Sequence, residues 1–187
     1  MQPTWYFDVE VRGSHGNGFG SACVLAVTSV IAVLHAFFKD RPDCYALDLP
    51  AFSDDSRGGR HLGHVVRIFS ASEQDATAVA DRLKENTRLR DLVMVKPLRP
   101  FDASAYDGAW IVLRRFRVAK RSEPSNRRRD LAAAEKMPFV RTRSKTNGHA
   151  YTLTLQRQAH LSSPTFGPPN SYGLSGETPV CLPALLV

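Results

Sequence analysis

Two blocks hold the side chains best suited to chemistry: Phe139-Val-Arg-Thr-Arg-Ser-Lys-Thr-Asn-Gly-His-Ala-Tyr151 and, further on, Tyr172-Gly-Leu-Ser175. In the first, basic residues alternate along a strand, polar turn-forming residues gather at Thr146-Asn147-Gly148, and Tyr151 starts a return strand, the pattern of a β-hairpin. Cations beside a stackable aromatic suit RNA, because phosphates take the charge and bases take the ring. One histidine stands out elsewhere. His35 comes four residues after Ile31 and directly after Leu34, at the edge of an apolar helical stripe; by position alone it is a boundary histidine with a satisfied hydrogen bond.

Other polar clusters carry less. Gly16-Asn-Gly-Phe-Gly20 lacks both the lysine and the G-x-G-x-x-G spacing of phosphate-binding loops and reads as a strand-to-helix connection. His61, His64, Asp54 and Asp55 lie in a Gly/Asp/Ser loop without metal-ligand spacing, so no metal is expected. Cys23, Cys44 and Cys181 are odd in number and widely spaced, which argues against a disulfide framework or a zinc site and fits a reducing cytoplasm.

The charge is concentrated. Between Ile111 and Lys145 twelve basic residues face three acidic ones, a surplus larger than the net +7 of the whole chain, so the remainder is slightly acidic. Such asymmetry predicts a polyanion-binding face. With 187 residues, 43 % of them hydrophobic, the chain can bury one good core or two small ones, which excludes disorder.

The elements that position these residues follow from periodicity. Trp5 to Val11 alternates as a strand, Ser21 caps a helix with Val24, Val27, Ile31, Leu34 and Phe38 at three- and four-residue spacing, and Cys44–Leu49 and His64–Phe69 are strands. Ser72 opens a second helix with Ala76, Val79, Ala80 and Leu83 on one face, and Leu92–Val95 closes the unit. The order βαββαβ predicts an α+β protein with an N-terminal ferredoxin-like domain over residues 1–98. After a Pro-rich boundary, residues 99–187 form a smaller domain: a strand over Trp110–Val118, an arginine-rich helix started by Ser122-Glu-Pro124 with the proline in its first turn and continued by Asp130 to Lys136, the hairpin Phe139–Gln156, and an irregular segment over Ser162–Asn170 before Tyr172. The apolar run Ala22–Phe38, broken by Thr28, Ser29 and His35, is a buried helix and not a membrane span.

Taken together, the blocks resemble the repeat-processing endoribonuclease of type I-F CRISPR systems, the Csy-type member of the Cas-six family. That family carries Phe-Val-x-x-Arg-Ser-x-(Ser/Thr)-x-Gly and then Tyr-Gly-Leu-Ser, and has a Leu-His pair late in its first helix, matched here by Leu34-His35. The resemblance implies that His35 accepts a proton from an RNA 2′-hydroxyl, that Ser144 holds that hydroxyl, and that Tyr172 lies beside the histidine in an auxiliary role. It implies that Tyr151 stacks on the base pair at the foot of an RNA hairpin and that Thr146 and Asn147 lie near the cleavage site, although both also suit a plain turn.

The remaining RNA-binding residues implied are Arg114, Arg115, Arg117, Lys120, Arg121, Arg127, Arg128, Arg129 and Arg143. Helical residues diverge by about 100° each, so Arg127, Arg128 and Arg129 cannot all face one groove. Arg117-Val118-Ala119 keeps the arginine of the family's Arg-Val-Gln but lacks its glutamine. The implied partners are the stem-loop of a CRISPR repeat and other Cas subunits of a type I-F surveillance complex, with no cofactor and no membrane, in a prokaryotic cytoplasm. Two other classes fit the composition: a catalytically silent guide-RNA-binding subunit, and an RRM-like module, for which the strand near Phe69 is short of aromatics.

Overall fold

The computed structural model describes residues 1–13, 20–41, 43–54, 59–143, 148–161 and 163–186. The first sheet contains β1 (Trp5–Val11), β2 (Tyr45–Asp48), β3 (Val65–Ser70) and β4 (Val93–Val95) in the order β2-β3-β1-β4, with the short β5 (Arg99–Pro100) also paired to β1; every pairing is antiparallel. Helices α1 (Ser21–Phe38) and α2 (Glu73–Lys84) pack against it. Phe7, Val9 and Val11 of β1 and Val66 and Ile68 of β3 alternate toward the helices and join Val27, Val30, Ile31, Leu34, Val79 and Leu83 in the main core. The chain is thus mixed α+β, built on antiparallel sheets, as the periodicity predicts.

A second antiparallel sheet runs β7-β8-β6-β9, from β6 (Trp110–Arg115), β7 (Phe139–Arg143), β8 (Ala150–His160) and β9 (Leu182–Pro183). Its Leu113, Val140, Leu153 and Leu155 enter the main core, so that core crosses residue 98. On the other face of the first sheet, Ala46 and Phe69 are buried against Ile111, Val180 and Leu182. Two ion pairs, each with one partner buried, reinforce the contact. Arg67, 1 % exposed, makes a two-pronged bond to Asp8 and donates to the carbonyls of Leu185 and Leu186. Arg157 of β8 grips the fully buried Asp48 of β2 at 2.8 and 3.1 Å.

Several boundaries differ from the periodic reading. Ser21 is the first helical residue; Gly20 is the N-cap and makes no side-chain bond, since glycine reaches the extended cap geometry without a partner. Ser72 does cap α2, its Oγ accepting from Asp75 N at 3.1 Å. The strand beginning at Trp110 stops at Arg115, because the following segment is drawn to α3 (Pro124–Ala134): Ala119 donates to Asp130 and accepts from Arg127. Helix α3 ends at Ala134, short of Lys136, its last turn tightening into bonds from Lys136 N to Ala133 O and from Met137 N to Ala134 O ahead of Pro138. Strand β8 continues past Gln156 to His160 because it pairs with β6 as well as β7.

Candidate active site

Leu34 is fully buried, which leaves His35, the next residue around α1, half-buried at the rim of the core. Its Nδ1 lies 2.8 Å from the carbonyl oxygen of Ser171. A carbonyl can only accept, so Nδ1 carries the proton and, in the neutral ring, Nε2 keeps its lone pair. The imidazole lies flat on Tyr172, with ring centroids 3.7 Å apart and planes 2° from parallel. Helix α1 sets the position of His35, and one loop far along the chain sets its tautomer and ring plane.

That loop explains Tyr172-Gly-Leu-Ser175 residue by residue. The Asn170 side chain accepts from the backbone N–H of Tyr172 and Leu174 at 2.8 and 3.3 Å, while its backbone exchanges bonds with Gly173 and Leu174. Gly173 has φ +71°, and a Cβ there would come within 2.8 Å of Phe38 and 3.2 Å of Leu47; its carbonyl accepts from Leu47 N. Leu174 enters the main core, and Ser175 is tied to β6 by its N–H to Leu113 O and receives the N–H of Val180 on its Oγ. Asn170 is absent from the residues that the sequence singles out; its one local signal is an asparagine whose side chain can accept from the backbone two residues on, here Tyr172 N–H.

The Tyr172 hydroxyl is hydrogen-bonded to that of Tyr151, which stands opposite Thr142 near the start of β8. Burial, and then the Tyr151 hydroxyl, push the Tyr172 phenol well above its ordinary range, with Arg115 acting in the opposite direction. Tyr172 is therefore a neutral phenol at physiological pH. Ser144, Thr146 and Asn147 lie outside the described residues; β7 reaches Arg143, whose backbone pairs with Ala150.

The basic residues separate into two groups. Arg115, Arg117, Lys120, Arg121, Arg128 and Arg129 are exposed, and α3 has no buried residue. Arg114 and Arg127 are half-buried; Arg127 spends an N–H on Ala119 O at 3.1 Å, and this bond together with Asp130 clasps the segment after β6 to α3. Arg129 is 3.7 Å from Asp130 at the surface, a separation worth little in water. Among the described residues, no three His, Cys, Asp or Glu side chains converge on a point that could hold a metal ion. Helix α1 is long and apolar enough to cross a bilayer, but Cys23, Ala26, Val27, Val30, Ile31, Leu34 and Phe38 are buried in the core, as in a core helix.

These features define a class: an α+β chain in which a histidine is oriented by a distant tyrosine loop that a basic hairpin meets through Tyr151, and which also carries an exposed arginine helix. The family model described as CRISPR-associated protein (Cas_Csy4) matches residues 6–184, and the chain belongs to that family. It is thus a CRISPR-associated protein of an endoribonuclease family. No curated protein gives a significant match.

Proposed function

We propose that the chain is a metal-independent endoribonuclease that binds the stem-loop of a CRISPR repeat and cleaves at the 3′ foot of the stem. The observation that carries this reading is His35 held with Nδ1–H on Ser171 O, which leaves Nε2 as a proton acceptor. Nε2 takes the proton of the 2′-hydroxyl, the freed oxygen attacks the adjacent phosphorus, and the bond to the 5′ oxygen breaks, that oxygen taking up a proton. The products are a 2′,3′-cyclic phosphate and a 5′-hydroxyl. Because the nucleophile belongs to the RNA, no activated water is required. Ser144 is assigned to hold the 2′-hydroxyl, Tyr151 to stack at the stem foot, and the exposed arginines to take phosphates and base edges.

In this reading, residues 1–98 form a ferredoxin-like domain and 99–187 the RNA-binding domain. The product stays bound as the cap of a type I-F surveillance complex in the cytoplasm. The RRM-like alternative loses support because Phe69 is fully buried beneath the second sheet and offers no stacking face. The decisive experiment uses the repeat stem-loop with one 2′-deoxy sugar immediately upstream of the scissile phosphate. It should bind normally and remain uncut, and His35→Ala should slow cleavage of the natural repeat by about 10²–10⁴-fold. Cutting of the deoxy substrate at an undiminished rate overturns the mechanism, and no cleavage of the natural repeat at all returns the chain to a guide-RNA-binding subunit.

A further inference from the structure

Tyr151 was assigned above for its ring alone, a role that phenylalanine would fill equally well. The structure gives its hydroxyl a separate use: it bonds to the Tyr172 hydroxyl, and Tyr172 lies flat on the His35 imidazole. We infer that Tyr151 is a positioning residue for the histidine, acting through Tyr172, so that the residue at the foot of the hairpin couples RNA seating to the geometry of the base. This rests on the endoribonuclease reading and adds a role to it.

The argument is one of constraint. Tyr172 is anchored at its backbone by the Asn170 turn, but a phenol ring can still turn about its two side-chain torsions. Its flat contact with His35 restrains the ring face, and the bond at the far tip restrains the ring end. Ser171 O fixes His35 at Nδ1 only, leaving the ring free to rock about that bond; the Tyr172 face opposes such rocking. Removing the tip bond therefore loosens the plane in which Nε2 meets the 2′-hydroxyl, without deleting any group that touches RNA by stacking. Misplacement of a catalytic group by about 1 Å can cost on the order of 10²-fold in rate. Because Tyr151 and Tyr172 act through the same bond, removing either hydroxyl should have the same consequence, and removing both should add nothing.

The test measures single-turnover cleavage and equilibrium affinity separately, using the repeat hairpin of the CRISPR array encoded with this chain. Tyr151→Phe should lower the cleavage rate at saturating protein by about ten- to a hundredfold with affinity within about twofold, since the ring that stacks is retained. Tyr172→Phe should match it, and the double variant should be no slower than either. In the free protein, the His35 ring-proton resonances, shielded by the Tyr172 face, should move toward unshielded values in Tyr151→Phe. The inference is overturned if Tyr151→Phe cleaves at the wild-type rate, if only its affinity falls, or if the two single losses multiply in the double variant. His35→Ala and the wild type distinguish the underlying reading: if the wild type does not cleave, the endoribonuclease assignment has failed, and if His35→Ala cleaves as fast as the wild type, His35 is not the base; in either case the positioning role falls with it.

Discussion

Gly173 is the residue on which the loop over His35 turns. Its φ of +71° lies where a side chain strains the backbone, and the space a Cβ would need is taken by Phe38 and Leu47. Gly173→Ala should destabilise the protein by about 1–3 kcal/mol and, by shifting Tyr172 off the imidazole, slow cleavage more than it weakens RNA binding. Denaturant titration and single-turnover rates check the two parts. At Arg127 structure qualifies the pattern read from sequence: the first of three consecutive arginines is half-buried and bonded to Ala119 O, whereas its two neighbours are exposed.

At the scale of elements, α3 has no buried face, and among the described residues its ties include the Arg127–Ala119 and Asp130–Ala119 bonds and the bond from Arg60 to the Glu135 carbonyl. A helix with no buried residue gains little from the core. Arg127→Ala should therefore speed hydrogen exchange across residues 119–131, which native-state exchange would read, and should weaken RNA binding through loss of order. Arg128→Ala should leave exchange unchanged while weakening binding by about 1–3 kcal/mol where that side chain reads a base, and by less where it meets a phosphate alone. Equal exchange in both variants would dissolve the distinction between them.

Across the whole molecule, the two sheets depend on buried charge as well as on apolar contact. Asp48 is fully buried and Arg157 is its ion-pair partner, so Arg157→Ala strands a carboxylate between β2 and β8. The expected cost is about 3–5 kcal/mol in denaturant titration, the usual penalty for breaking a buried pair from one side. High pH supplies a second global probe. Burial, reinforced by Asp75 and opposed by Arg41, pushes the Tyr45 phenol up to about 12, and Tyr172 is raised as well. Up to the ordinary phenol value near 10 both states keep these protons; above it the unfolded chain releases them first, so stability falls as pH rises from about 10 toward 12. The decline in the denaturation midpoint above about pH 10 should be less steep in Tyr45→Phe than in the wild type.

Local spacing was enough for the alternation of strand and helix through residue 95, the Ser72 cap, the antiparallel pairing of β7 with β8, and the concentration of cations after Ile111. Each depends on neighbours a few positions apart, where side-chain period and turn chemistry leave few options. His35 was legible as a rim residue, but its tautomer and ring plane come from Ser171 and Tyr172, more than 130 residues away. The same separation hid the Tyr151–Tyr172 bond, the Asp48–Arg157 pair and the burial of Phe69 beneath the second sheet. Chain periodicity says which face of an element is apolar; which partner covers that face, and which polar groups meet across the join, is decided only when the sheets close on one core, because long-range contacts have no local spacing to announce them.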